Sequence, residues 1–206
     1  MSNSQGTVFV VDDDPSMRKA LARLCQSAGL KVRSFASARE YLDAAVPESP
    51  ACLVLDVRLP GLSGLDLQAE LAARRVQTPI VFITGQGDIP TSVRAMKAGA
   101  VDFLTKPFRN KDLVAIIREA LSKDVRLQSA QSERDVIQSR LDSLTPRERQ
   151  VFDLVIKGLL NKQIAAELGA SEQTIKVHRA RVMEKMGLAS VAELVQAAVK
   201  IGVLAP

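Results

Sequence analysis

Five times between residues 7 and 108 a short apolar run gives way to a polar corner and then to helical spacing; beyond residue 144 no such run recurs. No other feature of the 206-residue chain restricts its fold as strongly. The apolar runs occupy residues 7–11, 31–35, 52–56, 80–84 and 101–104. The third and fourth are almost wholly apolar, as central parallel strands covered on both faces require. Helical spacing falls at roughly 15–28, 38–45, 64–74, 89–98 and 110–122. Asp14 with Pro15 reads as an N-cap followed by the first helical residue, and Ser37 with Glu40 reads as a capping box. Strand–helix alternation of this kind predicts a doubly wound α/β domain on a five-stranded parallel sheet, in which ligands sit beyond the carboxyl ends of the strands.

The pattern then changes twice. Residues 123–143 contain neither Gly nor Pro, many charged and amide side chains, and few apolar positions. They read either as a continuation of the fifth helix or as a flexible tether, and the absence of breakers favours the helix. From Leu144 onward every element reads as helical. Thr145-Pro146-Arg147-Glu148 combines an N-cap, a proline at the first position and a capping box, and that helix should stop before Gly158. A short helix at about 162–168 is closed by Gly169, a longer one capped by Ser171 runs to Met186 and Gly187, and Ser190 with Glu193 opens the last. The predicted organisation is an α/β domain over 1–122, a helical linker over 123–143 and a four-helix all-α domain over 144–206.

Several function classes are excluded early. Both cysteines, Cys25 and Cys52, lie in apolar stretches with no Cys-x-x-Cys spacing, which argues for buried free thiols in a reducing cytosol. A single histidine, His178, removes any multi-histidine metal site and leaves the first half without a Ser-His-Asp triad. Chemistry there must come from carboxylates, hydroxyls and lysine. No apolar run has membrane length and the start, MSNSQG, lacks a secretion pattern, so a cytoplasmic protein without a membrane partner is expected. The net charge of +5 is compatible with a polyanionic partner.

The first strand ends in Asp12-Asp13-Asp14 and the third in Asp56. In a parallel sheet both ends emerge on one edge, so Asp12, Asp13 and Asp56 should converge. Carboxylates that close repel unless a cation intervenes, and hard oxygen ligands suit Mg²⁺. The fourth strand ends in Thr84, and Lys106 follows the fifth. Three acids, a hydroxyl and an ammonium on one edge form a phosphoryl-handling set. Asp14 is better explained as a helix cap. Gly85-Gln86-Gly87 lacks the third glycine of a dinucleotide loop.

VVDDDP, VLDVRLPGLSG, VFITGQGD and AMKAGAVDFLTKPF resemble the receiver domain of two-component response regulators, a CheY- or flavodoxin-like fold, over about residues 6–122. The resemblance implies that Asp56 accepts a phosphoryl group from a sensor histidine kinase. It implies Mg²⁺, or Mn²⁺ in its place, on Asp13, the Asp56 side chain and the Arg58 carbonyl, with Asp12 acting through water. Thr84 and Lys106 would contact the phosphoryl oxygens, Phe103 would be the aromatic switch where many relatives carry Tyr, and Pro107 would follow a cis peptide. Gln86 stands where close relatives often have His. A phosphatase of the haloacid-dehalogenase type also phosphorylates an Asp, but its Asp-x-Asp would place Asp14 directly before Pro15, without the downstream spacing; it fits less well.

In the second half, two helices joined by a Gly-containing turn have helix-turn-helix spacing. At 100° per residue, Ile175, Val182 and Met186 share one face of the longer helix, while Gln173, Lys176, Val177, Ala180, Arg181 and Glu184 lie opposite and Arg179 falls near the core edge. Small apolar groups among long cations suit a major groove. LTPRERQVFDLVIKGLLNKQIAAELGASEQTIKVHRARVMEKMG resembles the LuxR-type DNA-binding domain over about 143–202, and the whole chain resembles the NarL/FixJ class. That resemblance implies base contacts by Lys176 and Val177 and phosphate contacts near Thr174 and His178; Ala180 stands where some relatives have Lys. It implies a transcription regulator, not an enzyme, binding double-stranded DNA, with RNA polymerase a further candidate partner. Phosphorylation would turn Phe103 inward and promote a homodimer through the fourth helix and fifth strand. A DNA binder that keeps the acidic pocket as a relic is the competing reading.

Overall fold

The computed structural model describes residues 6–44, 50–85 and 89–205; Gln86 and Gly87 lie outside the described residues, as does the predicted helix end at residue 45. The chain divides after Gln128 into two compact units, and the dividing point lies within one long helix.

The first unit holds β1 (Thr7–Val11), β2 (Lys31–Phe35), β3 (Ala51–Asp56), β4 (Ile80–Thr84) and β5 (Asp102–Thr105), all parallel in the order β2-β1-β3-β4-β5. Between them run α1 (Pro15–Ser27), α2 (Ala38–Ala44), α3 (Gly64–Ala73) and α4 (Ile89–Lys97), and α5 (Asn110–Asp142) follows. Alternation along the inner strands explains why both faces are covered. Phe9, Leu53, Leu55 and Phe82 point into a core closed by Tyr41, Leu67, Leu71 and Ala95 from α2, α3 and α4. Val8, Val10, Val54, Val81 and Ile83 point into another, closed by Leu21 and Cys25 of α1 and Leu113 and Ile117 of α5. Each fully buried aliphatic or aromatic side chain contributes about 1.5–3 kcal/mol. Both thiols are buried and unpaired, and burial pushes Cys25 up to about 11.

Strand ends differ from the sequence reading by a residue. β3 starts at Ala51, whose N–H donates to the buried Asp124 carboxylate of α5 at 2.9 Å, and β5 is shifted by one to 102–105. The helix predicted at 110–122 runs on through Asp142.

The second unit contains the last turns of α5 with α6 (Pro146–Ile156), α7 (Asn161–Leu168), α8 (Glu172–Met186) and α9 (Val191–Lys200). Leu141 of α5 joins Val151, Phe152, Ile164, Ile175, Val182, Met186 and Leu194 in its core. Thr145 and Glu148 form the expected capping box, Ser171 and Ser190 cap α8 and α9, and Gly169 and Gly187 close α7 and α8 at φ 61° and 64°. The α7 N-cap is Leu160, whose side chain has no acceptor; Gln163 Oε1 instead accepts the Leu160 N–H at 2.8 Å.

Candidate functional site

Parallel pairing places Val11 opposite Leu55, so Asp12 and Asp56 leave adjacent strands side by side. Oxygens of Asp12, Asp13 and Asp56 lie within 4.8 Å of one another, with Asp12 and Asp56 buried and Asp13 exposed. Lys106 Nζ sits between the two buried acids, 2.8 Å from Asp12 Oδ2 and 2.6 Å from Asp56 Oδ2. Each acid keeps its other oxygen on backbone: Asp12 Oδ1 accepts the Asp14 N–H and Asp56 Oδ1 the Arg58 N–H, both at 2.9 Å. Asp14 Oδ1 accepts the Ser16 N–H at 2.8 Å and is the cap of α1.

The neighbours complete the edge. Lys106 follows β5, its N–H donates to the Thr84 carbonyl at 2.6 Å, and the Lys106–Pro107 peptide is cis. Thr84 is buried at the end of β4. Phe103 is half-buried, its ring 6.3 Å from that of Phe82. The Arg58 side chain is exposed.

Two contributors escaped the sequence reading. Arg18 of α1 donates from Nη1 to the Asp12 carbonyl at 2.6 Å, fixing the backbone from which two acids project. Gly64 opens α3 so close to the pocket that a Cβ there would lie 2.3 Å from the Asp56 carbonyl oxygen. Ser63 caps this helix, its hydroxyl accepting the Asp66 N–H at 3.2 Å, so Gly64 is the first helical residue.

Burial holds the Asp12 carboxyl above its ordinary value, although hydrogen bonds from Lys106 and the Asp14 N–H pull the other way. Burial alone would lower Lys106, but its hydrogen bonds to Asp12 and Asp56 outweigh that and raise it. Hard oxygen donors at this spacing fit a small divalent cation, and no histidine or thiolate lies among them.

On α8, Ile175, Val182 and Met186 are buried while Gln173, Thr174, Lys176, Val177, Ala180 and Arg181 are exposed. The Thr174 hydroxyl hydrogen-bonds the Ser171 hydroxyl at 2.8 Å, so it belongs partly to the cap. His178 is half-buried; its Nδ1 is buried without a partner. Arg179 donates to Asn161 Oδ1 at 3.0 Å and braces α7 against α8.

A doubly wound sheet with carboxylates and a lysine at its carboxyl edge, joined to a helix-turn-helix unit, defines a phosphorylation-controlled DNA-binding regulator. Residues 8–118 match the response regulator receiver domain and residues 142–198 the luxR family of bacterial regulatory proteins. The chain belongs to the response-regulator family, in its NarL/FixJ class, and regulates transcription within a two-component system. It is 50% identical over 204 residues to nodulation protein W of Bradyrhizobium diazoefficiens, covering 99% of this chain and 90% of that one. It is 45% identical over 196 residues to the transcriptional regulatory protein FixJ of Azorhizobium caulinodans, covering 95% and 93%. The solved structure of the response regulator StyR superposes with a TM-score of 0.84 at 48% identity, over 96% of this chain and all of that one.

Proposed function

We propose that Asp56 is the phosphoacceptor and that its phosphorylation, by a sensor histidine kinase, drives homodimerisation and operator binding. The observation that carries the reading is Lys106 Nζ held between the carboxylates of Asp12 and Asp56. An Asp56 oxygen attacks phosphorus, the bond from phosphorus to the kinase histidine breaks, and the histidine nitrogen keeps the electron pair. The transition state is loose, so positioning and charge compensation matter more than covalent help. Lys106 supplies one positive charge and the Thr84 hydroxyl a donor for the phosphoryl oxygens. Asp12, Asp13 and Asp56, with the Arg58 carbonyl, would hold Mg²⁺ or Mn²⁺, which supplies further neutralisation of the phosphoryl charge when bound. As Thr84 and Lys106 turn to the new dianion, Phe103 moves further inward beside Phe82.

Dimerisation is assigned to α4 and β5. Ile89, Val93 and Met96 follow one another at four and three residues along α4 and are 79%, 43% and 43% exposed, an apolar stripe facing water. Two copies joined there present two α8 helices to a two-part site on double-stranded DNA. Lys176 and Val177 read base edges, Gln173, Ala180 and Arg181 flank them, and Thr174 and His178 lie near phosphates. RNA polymerase is the expected downstream partner. Among the described residues no helix is long and apolar enough to cross a membrane, in keeping with a cytoplasmic site of action. The chain keeps the phosphoryl group as a signal and turns over no small phosphate ester, so it acts as a regulator and not as an enzyme.

Radiolabel transfer tests this reading. Incubation with acetyl [³²P]phosphate and Mg²⁺ should label the wild type and not Asp56→Asn, and a chelator should stop labelling. Equal labelling of Asp56→Asn would place the acceptor elsewhere.

A further inference from the structure

The last turn of a helix leaves carbonyls without intrahelical partners, and in α8 one of these is answered from outside the helix-turn-helix pair. Arg140, near the end of α5, donates from Nη1 to the Met186 carbonyl at 2.8 Å. The guanidinium reaches it because the next residue is Gly187: a Cβ there would come 2.8 Å from Arg140 Nη1 and 3.1 Å from its Cζ. Gly187 thus supplies both the left-handed turn that ends α8, at φ 64°, and the space for a cation. The tie is returned. Lys185, in the last turn of α8, donates to the Ser143 carbonyl just beyond α5 at 3.2 Å and to Glu148 Oε2 of α6 at 2.6 Å. Leu141, 2% exposed, seats the end of α5 in the same core. Each helix end therefore donates a cation to a carbonyl of the other, and the positive charge of Arg140 also complements the negative end of the α8 dipole.

We infer that Arg140 is a positioning residue for DNA reading by α8: without touching DNA, it fixes the C-terminal end of the recognition helix on the last turn of the linker helix. The inference rests on the proposed reading of α8 as the base-contacting helix. Its leverage follows from helix geometry. With the C-terminal end freed, the buried Val182 is the pivot, and Val177 stands five residues before it, a lever of ~7.5 Å at ~1.5 Å rise per residue. Released from Arg140, a tilt of ~10° would carry Val177 by ~1 Å, while a working site tolerates ~0.5 Å. Non-specific binding depends on long cations that follow the phosphates over such distances, so the tilt removes discrimination more than overall affinity.

The full chain, treated with acetyl phosphate and Mg²⁺, is first used to select a preferred duplex from a random pool. Binding of that duplex and of a scrambled one is then measured for wild type, Arg140→Ala, Arg140→Lys and Gly187→Ala across salt concentrations, with helix content followed by circular dichroism. Arg140→Ala should lose about fivefold to tenfold of the preference for the selected duplex. Its salt slope should stay unchanged, whereas loss of a phosphate contact would lower it by about one. Arg140→Lys, which can still donate to Met186, should recover at least half of the lost preference on a logarithmic scale. Gly187→Ala, which displaces the guanidinium by another route, should reproduce the Arg140→Ala loss. Full discrimination by folded Arg140→Ala, or a salt slope lower by one, overturns the inference while leaving the reading of α8 intact. A wild type that prefers no duplex overturns that reading itself.

Discussion

At the scale of single residues, charge compensation decides which side chains can share the pocket. Asp12 is wholly buried beside Asp56, and Lys106 is the cation that bonds both. Removing it as Lys106→Met should leave two adjacent carboxylates uncompensated and cut the rate of labelling from acetyl phosphate by a factor of ten or more, as general electrostatic contributions to such transfers suggest; labelling at the wild-type rate would contradict the role given to Lys106. Gly64→Ala should destabilise the unit by ~1–3 kcal/mol, read as a lower denaturation midpoint, because its new methyl meets the Asp56 carbonyl oxygen. In the other unit, hydrogen bonds from Lys185 and the Thr145 N–H hold Glu148 down at about 2 from an ordinary 4.5. A depressed carboxyl stabilises the fold above its unfolded value, so this contribution is complete above about pH 4.5 and is lost as pH falls toward 2. Lys185→Gln should accordingly be less stable than wild type at neutral pH, with the gap closing through that window, followed by amide exchange in α6. The placement of the acids, Thr84 and Lys106 on one sheet edge was legible in sequence because each ends or follows a strand. Arg18 and Gly64 were not, because a donor to a distant carbonyl and a missing Cβ act only once the helices have packed.

At the scale of elements, legibility followed burial. The apolar runs of β1, β3 and β4 are buried throughout and stood out, and the capped helices of the second half began where Thr145, Ser171 and Ser190 placed them. The stretch after residue 122 gave an ambiguous pattern for a physical reason: Val125 and Val136 are 49% and 48% exposed, so no apolar stripe could register there. The helix persists on intrinsic propensity and on polar pairs one turn apart, Gln131 with Asp135 at 2.8 Å and Gln138 with Asp142 at 2.7 Å. The exposed apolar stripe of α4 is the surface proposed for dimerisation. Val93→Asp should leave Asp56 labelling intact yet prevent the rise in mass on phosphorylation seen by light scattering; unchanged association would move the dimer contact away from α4.

At the scale of the whole molecule, one chain joins a carboxylate pocket at a sheet edge to a helix-turn-helix unit, and α5 supplies side chains to the cores of both units, Leu113 and Ile117 to one and Leu141 to the other. Membership of the family follows from matches that cover both halves. In the proposed function the two are coupled: an acyl phosphate at Asp56 would change how tightly α8 holds DNA. The most direct measurement is the affinity of the full chain for its selected duplex, with and without acetyl phosphate and Mg²⁺, for wild type and Asp56→Asn. The account predicts at least a tenfold gain for wild type, steep in protein concentration as dimers form, and none for Asp56→Asn. Equal affinity with and without the phosphodonor in the wild type, under conditions that label Asp56, would contradict it.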